Sequence, residues 1–204
     1  EQSLKFLQVD EIDLYLIHNP FAKENRLELW EAMIELKKQG KVKHIGVSNY
    51  NVHHMKEIEA AGIEMPSANQ IEIHPWHVVT KPLAEYMDKN EILPIAYSTL
   101  APIPNWREGS RWNGKPEDMK SGAMPCEDIA NKYAVTVPQL FLKWAIQLGY
   151  PVLPKSVKYD RLKENLSLDH LEISIDDMTL ISNIAVDEQK CLAWSGDFDP
   201  LEVD

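Results

Sequence analysis

The sequence predicts an α/β fold built from parallel βαβ units, and two observations support this. Five short segments rich in β-branched and aromatic residues recur along the 204 residues, at 12–18, 42–48, 68–74, 93–98 and 151–155. Amphipathic helical patterns separate them, and each intervening segment exceeds the dozen or so residues that a parallel crossover requires. The segments do not alternate strictly between polar and apolar residues, which is typical of strands buried on both faces.

Helical patterns with recognisable ends lie between and after these strands. The first places Trp30 on its apolar face and stops near Gly40, a typical helix end. The second follows the N-cap residue Asn51, and we expect His53 and His54 on it to face solvent. Further helices are predicted from residues 82, 125 and 137, over 160–166, and after a capping box at 174–177.

Two segments have no periodicity. Residues 101–122 are rich in Pro, Gly, Trp and Arg, which is typical of a functional loop, and the tail 187–204 is predicted to be irregular. No internal boundary is evident, so residues 1–204 are predicted to form one domain.

Composition excludes several function classes. The formal net charge is −11, which argues against nucleic-acid binding, and no apolar run approaches the roughly 18 residues of a membrane span. The first residues lack a signal-peptide pattern and there is no initiating Met, so we expect the chain to begin mid-protein. With only Cys126 and Cys191, no disulfide framework is predicted, and a cytoplasmic location is expected.

Polar residues follow the carboxyl end of each predicted strand: His18, Ser48, Glu72, Tyr97 and Lys155. Parallel α/β barrels and sheets build their sites at these strand ends. Neither a G-x-G-x-x-G nor a G-x-x-x-x-G-K-[ST] motif occurs, so the sequence encodes neither a Rossmann dinucleotide turn nor a P-loop.

Five ordered motifs carry a family resemblance. D-L-Y-L-I-H-N-P at 13–20 is similar to the active-site histidine strand of the aldo-keto reductase superfamily, and I-G-V-S-N-Y at 45–50 to its G-V-S-N-[FY] motif. N-Q-I-E-I-H-P at 69–75, I-A-Y-S-T-L at 95–100 and L-P-K-S-V at 153–157 resemble its next three motifs. The chain is therefore identified as a member of this superfamily.

The resemblance implies a (β/α)8 TIM barrel that binds NADPH without a Rossmann domain. Such a barrel takes about 250 residues. We therefore expect an incomplete barrel: the last five β/α units, a C-terminal helix and a tail, opening inside the helix before the fourth strand and lacking the first three strands. An incomplete sheet has unpaired edges, which invite association.

The resemblance also implies which residues hold the nicotinamide. Ser48, Asn49 and Gln70 would bind its carboxamide, whose donor and acceptor atoms suit hydroxyl and amide partners. Tyr97 would stack on one face of the ring and leave the other for hydride transfer. Ser98 and Leu100 from the same motif complete this part of the predicted site.

A second segment would hold the other end of the cofactor. The 2′-phosphate of NADPH would be bound by Lys155, Ser156 and Arg161, because an ammonium and a guanidinium suit a phosphate even on an acidic chain. This predicts a preference for NADPH over NADH. Val157 belongs to the same segment, and the adenine would lie near Glu164 and Asn165.

Substrate binding is assigned by the same resemblance to His18, which would orient and polarise the carbonyl, and to Asn19 and Trp194. Asn19 stands where many members have an aromatic residue, so no preference for aromatic aldehydes is expected. His74 and His77 have a metal-like spacing, but no cluster of Cys or carboxylates joins them, and no metal site is predicted.

The predicted function is NADPH-dependent reduction of an aldehyde or ketone to an alcohol, with a small carbonyl compound as the partner. The family's proton donor, a tyrosine assisted by an aspartate and a lysine, lies on the first three strands, so we expect this chain alone to be inactive. The alternatives are a non-catalytic NADPH-binding or structural member of the superfamily, and a truncated gene product. The full-length protein is expected to be a monomer.

Overall fold

The computed structural model describes residues 1–100, 123–184, 191–194 and 199–203, with side chains from residue 126 onward in the second range. The predicted loop 101–122 and part of the predicted tail, 187–190 and 195–198, lie outside the described residues. Trp106, Arg107, Arg111 and Trp112 belong to that loop.

Four strands form one sheet in the order in which they occur along the chain. They are β1 (Ile12–Ile17), β2 (Val42–Ser48), β3 (Ala68–Glu72) and β4 (Leu93–Tyr97). β1 pairs with β2 and β2 with β3 in parallel, with Ser48 opposite Gln70. The predicted parallel α/β fold is confirmed, whereas an incomplete five-unit barrel is not.

The predicted fifth strand at 151–155 lies beside β4 but is reduced to a single parallel bridge. Only Val152 pairs, in a single parallel bridge with Ala96. Pro151 has no N–H with which to extend this pairing toward the N-terminal side, and β4 ends at Tyr97, before Ser98 with its φ of 57°. β1 also differs from expectation, because Tyr15 is 38% exposed and the strand alternates instead of being buried on both faces.

The predicted helices are present, with bounds close to those expected. Among the described residues, none of the helices combines the length and apolar composition of a membrane span. The helices are α1 (Gln2–Leu7), α2 (Arg26–Lys38), α3 (Val52–Ala60), α4 (Lys81–Lys89), α5 (Ala123–Lys132), α6 (Val137–Gln147), α7 (Tyr159–Leu166) and α8 (Ile175–Ser182).

The start of α3 corrects one expectation. Asn51 caps the helix as predicted, but His54 is fully buried while its neighbour His53 is exposed. The backbone N–H of His54 donates to Asn51 Oδ1 at 3.0 Å, and the N–H of Asn51 donates to His54 Nδ1 at 3.1 Å. This reciprocal capping box turns the imidazole back toward the N-cap and away from solvent.

The chain divides into two compact units. Unit 1 comprises Glu1–Ile71, Thr80–Pro94 and Asp199–Asp204, and unit 2 comprises Glu72–Val79 and Ile95–Phe198. The core of unit 1 contains Trp30, Ile45, Met55, Ile58 and Met87. In unit 2, Trp76, Cys126 and Phe141 form a buried cluster against which Leu100, Val137, Ile184 and Leu192 pack.

Candidate functional site

In unit 1, the close approach of β1, β2 and β3 depends on Gly46. A Cβ at this position would lie 2.7 Å from the carbonyl oxygen of Ala68 and 2.7 Å from Leu16 Cδ2. Real Cβ contacts are not that short, so glycine allows the strand ends that follow to lie side by side.

Ser48 and Asn49 follow at the end of β2 and are 3% and 1% exposed. Ser48 Oγ donates to the carbonyl oxygen of Gln70 at 2.7 Å, and the Asn49 backbone N–H donates to the same oxygen at 2.9 Å. Asn49 Nδ2 donates to the His18 carbonyl at 3.0 Å and to Ser48 Oγ at 3.0 Å. The structure therefore brings together four predicted site residues: His18, Ser48, Asn49 and Gln70.

The backbone at Asn49 has a φ of 62°, in the left-handed region. Asparagine tolerates this conformation better than most residues, and such conformations cluster at functional sites. Asn69, to which sequence reasoning assigned no role of its own, supports the turn. Its Nδ2 donates to the Tyr50 carbonyl at 2.7 Å, and its Oδ1 accepts from the Tyr50 N–H at 3.3 Å.

The loop after β1 carries His18 and Asn19. Arg26, to which the sequence assigned no role, anchors this loop. Arg26 Nη1 donates to the Pro20 carbonyl at 3.1 Å, while Nε and Nη2 donate to the Glu57 carboxylate at 2.8 and 2.5 Å. The hydrogen bond from Arg26 lowers the pKa of Glu57. The two residues are 31 positions apart, so no local pattern could have paired them.

The side chains of His18 and Asn19 lie at the end of β1 and in the loop that follows it. His18 is exposed at the strand end. Asn19 Oδ1 accepts from the Phe21 N–H at 3.2 Å, which forms a local turn.

In unit 2, Tyr97 ends β4 and meets Trp194. The indole Nε1 of Trp194 donates to the Tyr97 hydroxyl at 2.8 Å, and the Tyr97 carbonyl accepts from the Ile73 N–H at 3.2 Å. The next residue, Ser98, has a φ of 57°, a second left-handed non-glycine residue at a predicted site position. Leu100 packs against the buried cluster of unit 2.

Glu72, at the end of β3, is a buried carboxylate that was predicted only as one of the polar strand ends. It is 2% exposed. It accepts hydrogen bonds from His74 Nε2 at 2.9 Å, from Cys191 Sγ at 3.0 Å and from the backbone N–H groups of Leu192 and Ala193 at 2.7 and 2.8 Å. Burial raises its pKa, but the bonds from His74 and Cys191 bring the net pKa below its ordinary value. The carboxylate is therefore ionised at neutral pH.

The segment predicted to bind the phosphate lies at the surface of unit 2. Lys155 and Arg161 are exposed, and Val157 is 82% exposed. Ser156 Oγ accepts from the Lys158 N–H at 3.1 Å, just before α7 begins, and Arg161 lies in the first turn of that helix. A helix N-terminus and two basic side chains favour an anion here.

Two residues predicted near the adenine lie further along α7. Asn165 is buried at 8% exposure and Glu164 is half-buried. The side chain of Gln139 donates to the Glu164 carbonyl at 3.3 Å, so this end of α7 is fixed to α6.

Comparison with known proteins adds independent information. The chain matches the Aldo/keto reductase family over residues 1–186. It is 35% identical to the glyoxal reductase of Bacillus subtilis, with 93% of this chain and 62% of that protein covered. It is 34% identical to the methylglyoxal reductase DkgA of Escherichia coli K12, with 89% and 62% covered.

A solved structure agrees with the fold. An aldo-keto reductase of Bombyx mori in complex with NADP superposes with a TM-score of 0.73 at 29% identity, covering 90% of this chain and 60% of that one. The chain thus spans about three fifths of the length of these relatives. The family match runs from residue 1 and does not mark a C-terminal portion, so the predicted absence of preceding strands is not confirmed.

Proposed function

Because the chain belongs to the aldo/keto reductase family, we propose that it binds NADPH and serves in the reduction of an aldehyde or ketone to an alcohol. The observation that carries the proposal is the hydrogen-bonded arrangement of Ser48 and Asn49 at the end of β2. Glyoxal and methylglyoxal are the first substrates to test, since two relatives are named for their reduction.

The residues of unit 1 fit a carboxamide. Ser48 Oγ and Asn49 Nδ2 donate to neighbouring groups of the protein, so these two side chains offer their oxygens as acceptors, while the amide of Gln70 can both donate and accept. Ser48 and Asn49 are buried and fixed by main-chain partners, so they lose little conformational freedom when a ligand binds.

The remaining groups of the cofactor are assigned to Tyr97 and to the segment that begins at Lys155, on the family motifs to which these residues belong. Tyr97 presents an aromatic ring, and Ser98 and Leu100 continue the strand end beside it. We assign the 2′-phosphate to Lys155, Ser156 and Arg161, with Val157, Glu164 and Asn165 completing the adenosine end. When bound, the cofactor supplies a hydride for the carbonyl carbon.

His18 is proposed to orient and polarise the substrate oxygen, with Asn19 and Trp194 near the substrate. The 204 residues contain no counterpart, at the family's motif positions, of the tyrosine that donates the proton or of its assisting aspartate and lysine. We therefore expect this chain by itself to bind NADPH without turning over a carbonyl. The second candidate is a non-catalytic NADPH-binding member of the superfamily, in which Tyr97, Lys155 and Arg161 would serve binding alone.

One variant tests the cofactor assignment. Arg161→Ala removes a guanidinium that would pair with the 2′-phosphate and should weaken NADPH binding about tenfold while leaving NADH binding unchanged. The ratio of the two dissociation constants, measured by titration calorimetry, gives the result. Lys163→Ala, at an exposed position in the same helix, is the control that removes equal charge.

An unchanged NADPH to NADH ratio in Arg161→Ala would mean that the phosphate is bound elsewhere. The enzymatic part is tested separately with glyoxal and methylglyoxal. Turnover by the 204-residue chain, lost in His18→Ala, would show that another of its residues supplies the proton.

A further inference from the structure

A closed set of hydrogen bonds links Glu72, the segment 191–194 and Tyr97 within unit 2. Glu72 accepts from Cys191, Leu192 and Ala193, which lie 119 to 121 positions later in the chain. The next residue, Trp194, donates its indole N–H to the Tyr97 hydroxyl. The carbonyl of Tyr97 accepts from Ile73, the neighbour of Glu72.

This arrangement requires the side chain of Glu72 to be a negatively charged carboxylate. The four groups around the carboxylate, from His74, Cys191, Leu192 and Ala193, all donate. The N–H of Trp76 donates to His74 Nδ1 at 3.2 Å, which leaves the proton of a neutral His74 on Nε2, facing Glu72. A carboxylate accepts at both oxygens, whereas a carboxamide would turn an NH2 group toward donors.

The segment 191–194 has a second attachment. The side chain of Leu192 packs against the buried cluster of Trp76, Cys126 and Phe141. The hydrogen bonds to Glu72 therefore fix where the backbone of residues 191–193 lies. The packing of Leu192 fixes how far this segment is buried against the cluster. Trp194 follows immediately and has its indole N–H directed at Tyr97.

The ring of Tyr97 gains a fixed orientation from this bond. Tyr97 is half-buried, so a hydrogen bond at its hydroxyl adds to the restraint that packing provides. A hydrogen bond of 2.8 Å holds the hydroxyl at the far end of the ring, which limits rotation about χ1. The phenolic oxygen lies on the χ2 axis, and rotation about χ2 is limited because this oxygen accepts preferentially in the plane of the ring.

We propose that Glu72 is a positioning residue that holds the segment 191–194 in place, so that Trp194 fixes the ring of Tyr97 in the orientation that stacks on the nicotinamide. The proposal rests on the proposed function, because that function assigns Tyr97 to the cofactor. Trp194 acts here on Tyr97, a different task from the substrate contact assigned to it above.

The first test observes the hydrogen bond without cofactor. In a ¹H–¹⁵N spectrum of the 204-residue chain, Trp194→Phe identifies the indole resonance of Trp194. Tyr97→Phe removes the acceptor and should shift that resonance upfield. Glu72→Gln should shift it in the same direction, and Cys191→Ala, which removes one of four donors, should do so by less.

Controls for this test are built into the chain. The indole N–H of Trp144 donates to Ser182 Oγ at 2.9 Å and that of Trp30 to the Glu64 carbonyl at 2.7 Å, and both resonances should stay in place. Glu59→Gln is the matched control, because its carboxylate accepts from the Tyr86 hydroxyl at 2.8 Å in unit 1. It should leave the Trp194 resonance unchanged.

The second test measures NADPH affinity in a double-mutant cycle. Glu72→Gln should raise the dissociation constant three- to tenfold in the wild-type background and change it less than twofold in the Trp194→Phe background. A Trp194 resonance that does not move in Glu72→Gln and Cys191→Ala, or an equal loss of affinity in both backgrounds, would overturn the proposal.

The two proposals can fail separately. A wild-type chain that does not bind NADPH contradicts the proposed function, and it also removes the stacking part of this inference. A chain that binds NADPH, but in which Tyr97→Phe leaves the Trp194 resonance unchanged, contradicts only the positioning role.

Discussion

Ser48 and Asn49, at the end of β2, are 3% and 1% exposed, whereas Lys155 and Arg161, on either side of the start of α7, lie at the surface. The first pair is fixed by hydrogen bonds to the main chain of two neighbouring strands. The second pair keeps its charge in solvent, where an ammonium and a guanidinium remain hydrated. Both belong to the proposed cofactor residues, yet only the first pair is buried.

The difference follows from the groups each pair would bind. A carboxamide needs donors and acceptors at fixed angles, and packed side chains keep those angles with the smallest loss of conformational entropy on binding. A phosphate carries charge that basic side chains attract over several ångströms. We therefore expect substitutions near β2 to change stability, and substitutions near α7 to change binding.

The largest effect is expected from Gly46→Ala. Its Cβ would lie 2.7 Å from the Ala68 carbonyl oxygen, a backbone atom that cannot move aside without shifting β3. We expect a loss of about 3 kcal/mol or more in the free energy of unfolding, measured by urea denaturation. Gly40→Ala is the control, because Gly40 has a φ of +69° but nothing within 4 Å of an added Cβ, and it should lose only about 1 kcal/mol. Equal losses in the two variants would show that the strands do not approach closely at Gly46.

A smaller effect is expected from acid, acting through His54 on the helix that follows Asn49. Burial lowers the pKa of His54 to about 4 from its ordinary value of 6.5. Between these two pH values His54 is protonated in the unfolded chain but stays neutral in the folded chain. The free energy of unfolding therefore falls as the pH drops through that window. His54→Gln keeps a capping-box residue but cannot titrate, and it should make the fall about 2 kcal/mol smaller.

The measurement for His54 is urea denaturation of both proteins from pH 7 to pH 4. If His54→Gln and the wild type lost stability in parallel, the imidazole would not be buried in the neutral form.

The smallest change in stability is expected from Lys155→Ala. Its side chain is exposed, so the free energy of unfolding should change by less than about 0.5 kcal/mol. NADPH affinity, by contrast, should fall about tenfold, since the ammonium is assigned to the phosphate. A variant that loses stability and keeps its affinity would reverse the contrast between the two regions.

Local patterns predicted most of the fold. Asn51 and Thr136 were flanked by helical periodicity, and both cap helices with reciprocal hydrogen bonds. The order of strands and crossover helices predicted the parallel sheet. The segment 151–155 has the composition of a strand, but only one bridge forms there, next to Pro151, which has no N–H to donate.

The candidate site was predictable only in part. The motifs located Ser48, Asn49 and Tyr97 correctly at strand ends. They did not indicate that Arg26 pairs with Glu57, or that Trp194 donates to Tyr97 from 97 positions away. Such partners have no periodicity in common, so no window of sequence contains both.

By itself, then, the sequence determined which segments become strands and helices and which polar groups follow the strands, because hydrophobic periodicity and capping act within a few residues. Only the tertiary structure decided that His54 is buried and that the carboxylate of Glu72 meets the backbone of 191–193. It also decided that Asn49 is buried while Arg161 stays in solvent. Those outcomes depend on which surfaces pack against each other, and burial is a property of the whole fold and not of any local segment.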